Sequence, residues 1–144
     1  MARPEAWRLE PATYPHLEVI QTRFQDLDPL GHLNNVAVAG LFETARVRFN
    51  RAMKLSGWHG HRWLVANITI NYLAEGFFPD DVEIATGIGQ IGTRSWQILA
   101  AAFQNGQCIA TCGAVIVMSP SGGVTALPAD FRAGLEAHRV RTPA

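Results

Sequence analysis

Between Val36 and Lys54, the apolar residues Val38, Leu41, Phe42, Ala45, Phe49, Ala52 and Met53 recur at spacings of three and four, the stripe of a helix with one buried face. This is the strongest periodic signal in the chain, and the long apolar runs after it alternate instead. Asn34 and Asn35 are helix-capping residues, so the helix should begin at one of them. Arg46, Arg48, Arg51 and Lys54 crowd the second half, where the helix dipole favours positive charge, and Ser56-Gly57 supplies a stop. The positive end of the helix dipole therefore lies at the preceding loop.

The segments around this helix read as strands. His16 to Phe24 alternates polar and apolar residues, and Leu64, Ala66, Ile68, Ile70 and Tyr72 alternate with Val65, Asn67, Thr69 and Asn71. Val82 to Ile88, Ser95 to Phe103 and Cys108 to Met118 follow in quick succession. They are separated by a turn over Gly89 to Arg94 and by Gln104-Asn105-Gly106, whose Asn-Gly pair is a hairpin signal. Ser119 to Gly123 reads as another turn, and Pro128 to Ala137 as a short closing helix with Phe131 and Leu135 on one side. One strand, one long helix and about four antiparallel strands make an α+β pattern in which one sheet wraps around one central helix.

A chain of 144 residues fits one domain, 1–144, and 48% hydrophobic against 17% charged residues is a packed globule's composition. So few charges, with a sheet edge left over, imply a homo-oligomer, a homodimer or homotetramer that hides apolar surface between copies. The net charge is zero, with 12 basic and 12 acidic residues, so no domain-wide positive field exists to hold nucleic acid. Met1 to His16 lacks an apolar core, and Cys108 to Met118 is shorter than the roughly 20 residues of a membrane span, so a cytoplasmic location is expected. Cys108 and Cys112, if on one strand, lie about 13 Å apart, too far for a disulfide, and read as small core residues.

Chemistry concentrates in the loop Asp26 to Asn35: two carboxylates, an imidazole and two amides directly before a helix N-terminus. Backbone N–H groups there can polarise a carbonyl and stabilise an oxyanion, and an ionised Asp can attack that carbonyl or take a proton from water. The same residues also serve as ordinary caps and turns, and chemistry alone leaves both readings open. The cluster Trp58-His59-Gly60-His61-Arg62-Trp63 has no Cys or carboxylate ligands nearby in sequence and reads as a mobile loop whose tryptophans cover part of a substrate. Glu43 lies off the apolar stripe and reads as a surface or interface residue.

The string Arg23-Phe24-Gln25-Asp26-Leu27-Asp28-Pro29-Leu30-Gly31-His32-Leu33-Asn34-Asn35, with the helix through Phe42-Glu43-Thr44-Ala45-Arg46, resembles the hot-dog thioesterases of the 4-hydroxybenzoyl-CoA thioesterase type. The similarity extends over Asn71-Tyr72-Leu73, Pro79 to Glu83, the Gly92-Thr93-Arg94-Ser95 turn and the Asn105-Gly106 hairpin. The resemblance implies a hot-dog fold and hydrolysis of an acyl-CoA thioester, with coenzyme A as leaving group, no metal, no separate cofactor and an active site between subunits. It assigns catalysis to Asp28, with Asp26 supporting, and carbonyl-binding amides to the turn around Asn34, Asn35 and Val36. It further implies that His32 positions substrate or water and that Arg94 meets the phosphates of coenzyme A. Val38 stands where many relatives have Tyr, and Leu30 where the related plant enzymes have Asn, so the acyl group is not implied. A hot-dog dehydratase or hydratase and a non-catalytic acyl-thioester binding protein are the competing readings.

Overall fold

In the computed structural model, which describes residues 3–56, 61–120 and 126–142, the striped segment is a 19-residue helix, α1 (Asn35–Met53). Asn34 caps it: the Asn34 side-chain oxygen accepts from Ala37 N at 2.7 Å, while Lys54 in the left-handed region, φ 49°, ends it. The strands are β1 (His16–Ile20), β2 (His61–Tyr72), β3 (Val82–Ile91), β4 (Ser95–Gln104) and β5 (Gln107–Pro120), and a second helix, α2 (Ala129–Glu136), follows. They form one antiparallel sheet in the order β1-β3-β4-β5-β2. This is the α+β, hot-dog arrangement expected from the sequence.

The alternation of β4 explains the layering. Its even residues Trp96, Ile98, Ala100 and Ala102 face the helices and join two clusters, one around Phe42 and Ala45, the other around Phe49, Met53, Phe131 and Leu135. Phe49 is 0% exposed, and burying a side chain of this size stabilises the fold by roughly 1.5–3 kcal/mol. The odd residues Leu99, Ala101 and Phe103 face the other way and are covered by Trp7 and Tyr14 of the N-terminal segment and by Val140. Burial pushes the Tyr14 phenol up to about 12, and its hydroxyl donates to Arg8 O at 2.8 Å.

The two ends of the chain meet on this outer face. Val140 N donates to Ile88 O, Ile88 N donates to His138 O, and Arg141 N donates to Thr13 O at 2.7 Å. Gly87 lies beneath the junction, where a Cβ would stand 2.6 Å from Pro15 Cδ and 2.8 Å from Val140 Cγ1, so only glycine fits. Asn105 and Gly106, with φ of 52° and 79°, close the β4–β5 hairpin as the Asn-Gly pair demands.

Several boundaries differ from the sequence reading. β1 stops at Ile20 instead of Phe24, because Arg23 and Asp26 cap a short 3-10 turn, Phe24–Asp26. β2 begins at His61, so His61 to Trp63 are strand rather than mobile loop, and Trp63 packs edge-on against Trp96 and Phe131 instead of lying over a substrate. Residues 58–60 of that cluster lie outside the described residues. Ser119 and Pro120 continue β5, and the remainder of the expected Ser119 to Gly123 turn also lies outside them. Arg46, in the second half of α1 as expected, is 7% exposed. Cys108 and Cys112 are free cysteines of one strand, as expected, and burial raises both thiol pKa values.

β2 is an edge strand and is exposed along most of its length. α1 packs over β1, β3 and β4; on the helix-facing side of β2, Trp63 and Ile70 pack against the core while Val65, Ile68 and Tyr72 are exposed. No helix is long and apolar enough to cross a membrane among the described residues.

Candidate active site

The loop between β1 and α1 is held at both ends. Asp26 is 4% exposed, and its carboxylate accepts from Arg23 N at 2.9 Å and from the Arg23 guanidinium at 2.9 Å. Burial alone raises its pKa, but the hydrogen bonds and charge of Arg23 outweigh that and hold the carboxyl below its usual range. Asp26 O accepts from Asn34 N at 2.9 Å, which brings the loop's start to the helix cap. Asp26 thus ties the start of the loop to Arg23 and to the helix cap.

Asp28 is built differently. Asp28 Oδ1 accepts from Leu30 N at 2.9 Å and His32 N at 3.2 Å, and Asp28 N donates to His32 O at 2.8 Å. These bonds fix the turn, with Gly31 at φ 85°, and leave Oδ2 without a hydrogen bond among the described residues. Asp28 lines two cavities: one of about 610 Å³ with Arg23, Gln25, Asn34, Asn35 and Val36, and one of about 330 Å³ with His32, Val38, Tyr72, Leu73 and Ile109. Asp28 thus borders both a cavity over the helix N-terminus and a second one lined by the end of β2 and His32.

Of the three amides expected to bind a carbonyl, Asn34 N is occupied by Asp26 O, and Ala37 N is occupied by the Asn34 cap. The N–H groups of Asn35 and Val36 remain, at the positions where a helix leaves its first donors unpaired, and both residues line the larger cavity. The unpaired N–H groups of this turn are thus those of Asn35 and Val36, while the Asn34 side chain acts as cap.

His32 and Asn35 are each tied by a residue that sequence reasoning missed. His32 Nε2 lies 3.0 Å from Glu75 Oε2, and its ring meets Phe77 edge-on at 5.4 Å. A carboxylate only accepts hydrogen bonds, so this contact requires a proton on Nε2 and leaves Nδ1 as the acceptor of the neutral ring. Tyr72 hydroxyl donates to Asn35 O at 3.0 Å and joins the end of β2 to the first turn of α1. Glu75 and Tyr72 carried no signal of their own, since each reaches the loop only through the sheet. Exposed Phe24, Leu30 and Val36 form an apolar rim around the loop.

Arg94 is exposed in the β3–β4 turn. Asp28 lies at the other end of the sheet, and β4, ten residues long, puts roughly 30 Å between the two ends. The chain does not bring Arg94 to its own Asp28. Among the described residues no three His, Cys, Asp or Glu side chains converge as a metal site.

Comparison with known proteins adds to this geometry. A family model described as the thioesterase-like superfamily matches residues 22–135. No curated protein matches the chain. The fold is similar to a crystal structure of a protein from Pseudomonas aeruginosa, 29% identical, with a TM-score of 0.76 over 91% of this chain and 96% of that one. It is similar to a thioesterase from Thermus thermophilus complexed with coenzyme A and Zn, 29% identical, with a TM-score of 0.76 over 87% of this chain and 94% of that one. It is also similar to a predicted thioesterase from Bacillus stearothermophilus, 28% identical, with a TM-score of 0.77 over 88% and 98% of the two chains.

Proposed function

Because this chain belongs to the thioesterase-like superfamily, we propose that it is an acyl-CoA thioester hydrolase of the 4-hydroxybenzoyl-CoA thioesterase type, acting through Asp28. The observation that carries this reading is the juxtaposition, in one cavity of about 610 Å³, of Asp28 with the open N–H groups of Asn35 and Val36. The coenzyme A complex of the Thermus thermophilus relative supports a ligand of that class.

In the reaction, the thioester carbonyl oxygen lies against the Asn35 and Val36 N–H groups, where the helix dipole and the two donors stabilise negative charge. Asp28 adds to the carbonyl carbon directly, or takes a proton from a water that does so. The tetrahedral intermediate collapses with cleavage of the carbon–sulfur bond, and coenzyme A leaves as the thiol after protonation. When Asp28 is the nucleophile, water then cleaves the acyl-aspartyl anhydride and restores the carboxylate. His32, held by Glu75, positions substrate or water through Nδ1, and the rim of Phe24, Leu30 and Val36 receives the acyl group. A second copy of the chain belongs to this proposal, since Arg94 reaches a coenzyme A phosphate only from a neighbouring subunit. A cytoplasmic location accords with coenzyme A chemistry.

Thiol release from short, long and aromatic acyl-CoAs tests the reading, comparing the natural protein with Asp28→Asn, which keeps the shape and removes the charge. The expected loss is about 100-fold or more in kcat/KM. Equal rates in the two proteins would sink the assignment. No hydrolysis of any thioester by the natural protein would favour the non-catalytic binding protein, whose loop needs Asp28 only as a turn former.

A further inference from the structure

Three contacts tie the five residues 72–76, at the end of β2, to the Asp28 loop and the start of α1. Tyr72 hydroxyl donates to Asn35 O at 3.0 Å, Glu75 Oε2 lies 3.0 Å from His32 Nε2, and Leu33 N donates to Gly76 O at 2.8 Å. The segment is also held from behind. Leu73 N and Ala74 N both donate to Ile109 O. The buried Gln104 side chain accepts from Phe77 N at 2.8 Å and donates to Phe77 O at 2.7 Å. A segment fixed on both sides can hold the loop at a set distance.

The Tyr72 contact falls on the peptide that carries Val36 N–H. In a trans peptide the C=O and N–H point in opposite directions across one rigid plane, so a bond to Asn35 O fixes the direction of Val36 N–H. Val36 lines the cavity of about 610 Å³ that it shares with Asp28. In the ladder of α1, Asn35 O already accepts from Ala39 N, and Tyr72 adds a second donor to the same oxygen. Two effects follow. The first turn, where a helix frays, is tied to the sheet. A carbonyl that accepts hydrogen bonds also polarises its own peptide, which makes the N–H on the other side a stronger donor. Tyr72 has its single O–H committed to Asn35 O and does not line the larger cavity, so it acts on a carbonyl held there through the Val36 peptide. It does border the smaller cavity, and direct contact with substrate is the competing role.

We propose that Tyr72 is a positioning residue of the hydrolysis: its hydroxyl, acting on Asn35 O, aims and strengthens the Val36 N–H that binds the thioester carbonyl. The inference rests on the thioesterase reading and adds to it a residue from outside the Asp28 loop. A stronger donor matters most where negative charge develops, so the hydroxyl stabilises the tetrahedral intermediate more than the bound substrate. Its loss therefore falls on kcat and not on KM. The ring is 45% exposed and sits opposite Ala110 of β5, so removing the hydroxyl alone leaves the core packing in place.

Tyr72→Phe, which keeps the ring, tests the proposal by two readouts. In thiol release from the best acyl-CoA, kcat should fall about tenfold, short of the roughly 100-fold that follows loss of a whole oxyanion donor, while KM stays within about twofold. A KM that rises with kcat unchanged would mean that Tyr72 touches substrate, and a variant with both constants unchanged would mean that the bond is idle. Either result overturns the proposal. Heteronuclear NMR of the substrate-free protein supplies the second readout. Loss of the bond to Asn35 O should move the Asn35 carbonyl 13C and the Val36 15N resonances upfield, with those of β3 and β4 in place. If the Asn35 and Val36 resonances stay where they are, the positioning role is refuted whatever the rates. The two readings fail separately. No hydrolysis by the natural protein, or equal rates in Asp28→Asn, would strike the thioesterase reading or its carboxylate, while the amide shift would still support the positioning of Val36 N–H. Full kcat in Tyr72→Phe would leave the Asp28 assignment standing.

Discussion

β4 and β2 are strands of the same sheet with similar apolar content, yet β4 is buried almost end to end and β2 is exposed along most of its length. The difference lies in what covers them. β4 has α1 and α2 on one face and the N-terminal segment on the other, whereas β2 lies at the sheet edge with Val65, Ile68 and Tyr72 of its helix-facing side exposed. An apolar pattern states that a strand needs cover, but it does not state which chain provides it.

Three measurements break or sharpen this contrast. The largest effect is expected at the covered side: Phe49→Ala should cost about 3–5 kcal/mol of folding stability, read from denaturant midpoints. A loss below about 1 kcal/mol would mean that the α1–β4 layer is not the main core. Asp26→Ala should cost about 1–3 kcal/mol near neutral pH, because the Arg23 backbone N–H and guanidinium lose their acceptor, the buried Asp26 carboxylate. Since the folded carboxyl titrates below its unfolded value, its contribution is fully present above that value, about 4, and is lost as pH falls through the folded pKa. The gap between natural protein and variant should therefore close in acid, and a gap constant with pH would remove the Arg23–Asp26 explanation. The smallest effect belongs to the uncovered side: Ile68→Ser should cost about 1 kcal/mol or less at dilutions where copies are separate. A cost equal to that of Phe49→Ala would show that a single chain already covers β2.

The sequence displayed the regions of this molecule that are set by neighbours along the chain. The stripe from Val38 to Met53 predicts α1 because helix contacts repeat within one turn, and Asn34 declares the cap. Asn105-Gly106 predicts the hairpin because only such residues accept two positive φ angles in succession. The site was legible to the same extent: Asp26, Asp28, His32 and Asn35 share one loop. Glu75 and Tyr72 were not legible, since they arrive from the far end of β2 and the register of a sheet is not written locally. The burial of Arg46 was not legible either, since its charge alone fits the second half of a helix and says nothing of the flank it occupies. His61 to Trp63 showed neither period strongly enough to extend β2.

The backbone contact between Thr13 and Arg141 has a mechanical side. A pull applied at the two ends of the chain is borne first by that bond and by the bonds that hold His138 and Val140 to Ile88. These would open in succession, like a zip, before load reached the long ladders of β3, β4 and β5. The loop carrying Asp28 and the first turn of α1 lie on the other side of the sheet, outside that path of force. A tether or fusion at either end would thus pull on the outer face, and the carboxylate and the two helix amides would keep their spacing until the sheet itself gave way.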